Sequence, residues 1–183
     1  MENIAVRMDR PHLEDLPDKT VPAPYDFRWY EPGDEEAWVR IHELADDYNE
    51  ASLKLFRDQF GDDEALLSER QGFLLDPDGA PVGTASAWRD ENDPDNWGRV
   101  HWVAIVPTHQ GKKLSRSLMG RILQRLEELG HEKTYLTTNT VRLPAIHLYL
   151  KLGFRPAVRS DAERAGWEAV GKALGRDDLL AEG

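Results

Sequence analysis

The segment Val103 to Arg116, VAIVPTHQGKKLSR, constrains this chain more than any other. The five apolar residues Trp102 to Val106 are too few for a helix and suit a buried strand, and Pro107 then removes a backbone donor and ends the ladder. From Leu114 the apolar positions recur at helical spacing, at Leu118, Ile122, Leu126 and Leu129, and Gly130 follows as a C-terminal cap. A helix is therefore expected to start near Gly111. Its first turn presents unpaired N–H groups and the positive end of the backbone dipole, and Lys112, Lys113 and Arg116 add positive charge there. Strand, glycine turn and basic helix together suit an anion, a pyrophosphate above all. A plain α/β connection with solvated basic residues would show the same local pattern.

A second segment narrows the choice. Arg142 to Pro156, RLPAIHLYLKLGFRP, places Pro144 in a first helical turn, sets Ala145, Leu148, Tyr149 and Leu152 on related faces, and closes the helix at Gly153. With both segments considered, the chain resembles the GNAT superfamily of N-acetyltransferases over about residues 25 to 156. That resemblance implies acetyl-CoA as co-substrate. The family's phosphate loop reads Gln/Arg-x-x-Gly-x-Gly/Ala, and this chain carries Gln110, Gly111, Lys112, Lys113, Leu114 and Ser115, followed by Arg116. Lys113 stands in the place of the first later glycine and Ser115 in that of the second; a helical backbone at Lys113 would keep its N–H toward the phosphate. Arg142 stands where the family often has Asn, with Asn139 as a substitute contact. The resemblance also implies that Val103 and Ile105 offer backbone groups to the pantetheine arm, whose amides pair with a sheet edge as an added strand would.

Acyl transfer from a thioester to an amine needs a neutral amine, a polarised carbonyl and a proton for the departing thiolate. Tyr149 occupies the position where many members of the family keep a tyrosine beside the cofactor sulfur, which implies a general acid. As a residue on its own, it reads better as an ordinary amphipathic core tyrosine, and the resemblance reverses that order. His101 is the expected base, because it lies two residues before Val103 and a regular strand puts both on one face. His109 sits beside the phosphate turn, and His147 lies two positions from Tyr149 and points elsewhere. Neither has a partner at metal-ligand spacing, so no metal is expected. Tyr48, Phe56, Trp88 and Trp97 could wall an acceptor pocket with Asp46, Asp47 and Glu50, but they read at least as well as core and solvated surface.

Composition bounds the remainder. At 183 residues one domain with a substantial core is expected. Without cysteine there is no disulfide framework and no thiolate chemistry, and a cytoplasmic protein is the default. No apolar run approaches a membrane span. Twenty-three Lys and Arg against 34 Asp and Glu give a net charge of −11, which disfavours nucleic acid and anionic lipid as partners and mildly favours an amine acceptor, a small molecule or a peptide. A monomer or a homodimer is expected.

Along the chain, residues 1–24 are polar and carry Pro11, Pro17 and Pro22, which predicts an extended arm. Residues 25–174 are expected as one domain and 175–183 as a fraying tail. The order within it is a strand at Tyr25–Tyr30, helices at Asp34–Ala45 (capped by Asp34), Ala51–Phe60 and Asp63–Arg70, and a hairpin of Gly72–Leu75 and Val82–Trp88 about the turn Asp76–Gly79. The loop 90–98, a strand to Val106, the long helix, a strand at Tyr135–Thr138, the short helix, an extended piece from Phe154 and a helix at Asp161–Leu174 capped by Asp161 follow. This is an α/β chain built on a mixed α+β sheet. The resemblance makes it a GNAT-like acyl-CoA N-acyltransferase fold, a central, mostly antiparallel sheet with helices on both faces. A second reading is kept: a non-catalytic acyl-CoA-binding module of the same fold with a sensory or regulatory role.

Overall fold

The structure is a computed structural model that describes residues 1–176 and 178–180. The chain forms two compact units, each assembled from separate stretches. The first takes Met1–Asp15, Arg89–Arg99 and the chain from Gly130 onward; the second takes Leu16–Trp88 and Val100–Leu129. The expected tail lies partly at positions 177 and 181–183, outside the described residues.

In the second unit, β2 (Asp26–Trp29), β3 (Gln71–Leu75) and β4 (Pro81–Arg89) form antiparallel ladders, from Asp26↔Leu75 to Trp29↔Gly72 and from Gln71↔Ser86 to Leu75↔Pro81. Asp76 organises the hairpin turn as its sequence predicts. Its carboxylate accepts from the Asp78 and Ala80 amides at 3.0 and 2.9 Å, and its own N–H reaches the Ala80 carbonyl at 2.9 Å. Gly72 is required by packing, since a Cβ there would lie 2.5 Å from the Phe27 ring. Three helices, α1 (Asp34–Ala45), α2 (Leu53–Phe60) and α3 (Glu64–Arg70), separate β2 from β3. Ser52 and Asp63 cap α2 and α3 by accepting backbone N–H groups. Asp34, by contrast, does not cap α1: Gly33 at φ 100° takes that position, and the Asp34 carboxylate binds Arg28 and the Glu31 amide instead.

The unit continues through β5 (Gly98–Ile105) into a single 3₁₀ turn at Pro107–His109 and then α4 (Leu114–Glu128). The α4 face of Leu114, Leu118, Ile122 and Leu126 is buried as its periodicity predicts. Its start differs from the expectation. The helix begins at Leu114 rather than near Gly111, and Lys113 is not helical: it sits at φ 64°, ψ 9°, in the left-handed region, with Gly111 at φ 76° two residues earlier. Lys113 thus adopts the backbone that a glycine would adopt without strain. Leu16–Thr20, the second half of the expected arm, lies across α4. Ser117 Oγ donates to the Thr20 carbonyl at 2.7 Å and Arg121 Nε to that of Lys19 at 3.0 Å, while a Cβ on Gly120 would come 2.7 Å from the Asp18 carbonyl.

The first unit contains β1 (Ala5–Arg10), a strand absent from the sequence reading, where only an arm is expected. It runs antiparallel to β6 (Thr134–Asn139), from Ala5↔Asn139 to Arg10↔Thr134, and on its other side to β7 (Arg155–Ala157). Val6, Met8 and Arg10 alternate inward, and an inward arginine hides the strand from a hydropathy reading. The Arg10 guanidinium is satisfied by carbonyls of Leu152 at 2.9 Å, His12 at 2.6 Å and Glu14 at 2.8 Å, and burial lowers its pKa. β6 pairs in parallel with the first residues of β5, Gly98↔Thr134 and Arg99↔Tyr135. α5 (Leu143–Lys151) and α6 (Asp161–Leu174) complete the unit. Ser160 caps α6 by accepting the Glu163 amide at 3.2 Å, so Asp161 is its first helical residue rather than its cap. The ladders give the order β2-β3-β4-β5-β6-β1-β7, a mixed seven-stranded sheet with six helices among the described residues, which is the expected α/β class.

Two outcomes follow from the backbone. Gly120→Ala should lower stability by about 1–3 kcal/mol in urea unfolding despite its better helix propensity, because the added methyl meets backbone that has no rotamer to move. Lys113→Gly should raise stability by about 0.5–1 kcal/mol, read as a higher melting temperature, because it relieves a left-handed lysine.

Candidate active site

The turn after β5 is closed by its own side chains. Gln110, expected to face the cofactor, uses its amide to donate to the Ile105 carbonyl at 2.8 Å, and its backbone N–H reaches Pro107 O at 3.2 Å. Gln110 therefore shapes the loop. Beyond it, reversed residues at Gly111 and Lys113 turn the chain into α4, an arrangement that gathers backbone N–H groups into a concavity suited to an oxyanion. Gly111, Lys112, Lys113 and Arg116 are exposed and Ser115 is half-buried, whereas the Leu114 side chain is in the core and has only its amide to offer.

Lys112 is not a loose charge. Its ammonium donates to Tyr25 Oη at 2.7 Å, and that hydroxyl lies 3.0 Å from His109 Nδ1. Tyr25 and His109, neither counted among the cofactor contacts in the sequence, thus orient the loop's first lysine.

β5 carries the second group of residues. Trp102 sits at φ 48°, a rare backbone for a bulky residue, and the alternation of the strand breaks there. The same-face argument linking His101 to Val103 fails for this reason. His101 Nε2 and Trp102 Nε1 instead both reach Gln59 Oε1 of α2, each at 3.0 Å. His101 is 8% exposed, with its ring against Phe60 and Trp102. Around it Trp38 packs edge to face on Phe56, Phe60 and Trp102 and Phe56 lies tilted on Phe60, at centroid separations of 5.1 to 5.8 Å, and Trp88 joins through Phe60. Each such pair adds about 0.5–1.5 kcal/mol beyond its burial. Phe56 is therefore core, as the plainer reading has it, and Trp88 is half-buried at the margin of the cluster. Tyr48 is exposed, and the Asp46 carboxylate accepts from the Tyr48 and Asn49 N–H groups.

The remaining candidates belong to the first unit. Tyr149 on α5 is buried against Phe154, and burial pushes its phenol up to about 12, with the Arg142 charge acting the other way. Asn139 ends β6, and its carbonyl accepts the Arg142 amide at 2.9 Å, so both residues belong to the bend that starts α5. His147 is exposed. Trp97, considered for an acceptor wall, takes the Arg7 and Lys133 cations on its ring, with centroid distances of 4.9 and 4.7 Å. Among the described residues, no three His, Asp or Glu side chains are placed to hold a metal ion.

Comparison with known proteins agrees with this construction. Residues 20–154 match the acetyltransferase (GNAT) family. A mycothiol acetyltransferase of Thermomonospora curvata is 33% identical over 156 residues, covering 82% of this chain and 51% of that protein. The chain thus spans about half the length of the curated relatives it matches. Among solved structures, a GCN5-related N-acetyltransferase from Sphaerobacter thermophilus superposes with a TM-score of 0.69 at 19% identity, over 85% of this chain and 49% of that one. The ribosomal-protein-S18-alanine N-acetyltransferase of Escherichia coli does so at 0.60 and 23%, over 73% and 79%. With the family match spanning residues 20–154, the chain belongs to the GNAT acetyltransferase family.

Proposed function

We propose that this chain transfers the acetyl group of acetyl-CoA to a primary amine of a small molecule or peptide by direct attack. The observation that carries the reading is the turn at residues 110–116, where Gly111 and Lys113 both adopt left-handed backbone and open onto the N-terminus of α4. In this reading the amides from Gly111 to Arg116 hold the pyrophosphate, while Lys112, Lys113 and Arg116 supply charge. The ladder between β5 and β6 comprises Gly98 and Arg99 on the β5 side, so it does not use the backbone of Val103 and Ile105, which we assign to the pantetheine amides. Asn139 is a further cofactor contact.

The chemistry divides between two protonations. His101 takes a proton from the acceptor ammonium, and the neutral amine attacks the thioester carbonyl. The tetrahedral intermediate collapses with cleavage of the C–S bond and the departing thiolate takes the phenolic proton of Tyr149; the new amide nitrogen gives its surplus proton and His101 its captured one to solvent, which reprotonates the Tyr149 phenolate. A phenol with a pKa of about 12 remains a proton donor throughout the neutral range. The name of the curated relatives makes a small molecule of the mycothiol type the first acceptor to screen. A second reading, an acyl-CoA-binding module without turnover, draws support from the lysine at Lys113 where the family's loop has glycine.

Tyr149→Phe should lower the release of free CoA from acetyl-CoA with an accepted amine by about 10²-fold or more, leaving cofactor affinity unchanged. Unchanged turnover would remove Tyr149 from the chemistry, and no turnover with any amine, alongside firm acetyl-CoA binding, would favour the second reading. Gly111→Glu should abolish the thermal upshift produced by acetyl-CoA, whereas Gly111→Ala, with the same backbone strain and no charge, should retain most of it. Burial of Tyr149 also sets a pH dependence. Its folded pKa of about 12 exceeds the unfolded value of about 10, so its contribution to stability is complete below pH 10 and is lost as pH rises toward 12. Urea titrations of the native chain and Tyr149→Phe across that window measure the difference.

A further inference from the structure

We infer that Gln59 is a positioning residue that locks His101 in its Nε2–H tautomer, so that Nδ1 is the nitrogen that accepts the substrate proton; the second half rests on His101 being the base. The two N–H vectors meeting at Gln59 settle its amide orientation. An indole nitrogen can only donate, so the Gln59 atom 3.0 Å from Trp102 Nε1 must be the carbonyl oxygen and not the NH₂ group. That same oxygen lies 3.0 Å from His101 Nε2 and has no hydrogen to give. His101 must therefore donate, which places the imidazole hydrogen on Nε2 and the lone pair on Nδ1.

The backbone supports the arrangement. Neighbouring side chains of a regular strand point to opposite faces, so two successive residues cannot share one acceptor. Trp102 at φ 48° breaks that rule and brings both rings to one oxygen. A left-handed tryptophan is strained, and strain of this kind persists where surrounding structure over-determines it. Here α2 supplies Gln59 and Phe60, and α1 supplies Trp38 and His42 against the Trp102 ring at 5.1 and 5.0 Å. When Nδ1 accepts the substrate proton, the ring becomes an imidazolium and its Nε2–H bond to Gln59 becomes charge-assisted, so the same contact that sets the tautomer also steadies the charged form.

Titratable neighbours must be separated in any test. His42 of α1 is the other titratable ring of this cluster, while Arg57 and Asp58 of α2 are exposed. Long-range ¹H–¹⁵N correlation spectra of the labelled full chain report the protonation of each imidazole nitrogen, with His101 assigned by its loss in His101→Gln. The native chain should show Nε2 protonated and Nδ1 bare when the ring is neutral. Gln59→Leu should yield a mixture of tautomers, and Gln59→Glu should keep Nε2–H while raising the His101 pKa by about 1. A native Nδ1–H ring, or a tautomer indifferent to Gln59→Leu, would overturn the proposal. Kinetics distinguish the two halves: in Gln59→Glu the acid limb of kcat/KM should move upward with the spectroscopic pKa. If the spectra behave as stated and that limb stays in place, the tautomer lock stands and His101 is not the base.

Discussion

The join between β5 and α4 has to solve a problem of unpaired donors. A helix begins with amides that no earlier turn can satisfy, and a strand that ends in proline offers nothing to complete them. In this chain the gap is bridged by one 3₁₀ turn, a glutamine amide folded back onto Ile105, and two residues of left-handed backbone. The result is a loop shaped from within and still open at its outer surface, where the amides and the lysines are. The assignment of the turn to a diphosphate draws on this economy of internal bonds.

The elements flanking that loop are legible in the sequence, whereas its backbone is not. Its strand, proline, glycine and amphipathic helix all announce themselves through periodicity and missing donors. The conformation of Lys113 does not, because a lysine carries no mark of a left-handed backbone and helical continuation is the ordinary inference. Trp102 escaped for the same reason. A left-handed backbone inside a strand leaves no mark on the side chain, and VHWVAIV reads as an uninterrupted strand. The caps of α1 and α6 each shift by one position, since Asp34 is drawn to Arg28 and the serine before Asp161 takes the role of acceptor.

The aromatic residues illustrate how position outweighs composition. Six tryptophans and a scatter of acids invite a pocket for a cation, yet Trp38 and Trp102 spend their faces on one another and on Phe56 and Phe60, and Trp97 receives the chain's own cations. What the cluster does provide is a dry, rigid wall for His101. Its chemistry is governed by a glutamine that looks like any half-buried helical residue, and only the geometry shows that two donors converge on one oxygen.

The place of β1 bears on how the molecule is made. Ile4, just before it, donates its N–H to Thr140, just after β6, across 136 residues, and the strand lies between β6 and β7. β1 precedes β6 and β7 in the chain by a long stretch, so it stays unpaired until both partners have been made. Its short length, its prolines downstream and its charged Arg7, Asp9 and Arg10 make it a poor template for stray strands in that interval. Closure of so long a loop costs conformational entropy before any bond forms, which favours pairing of β1 after the local hairpin of β3 and β4.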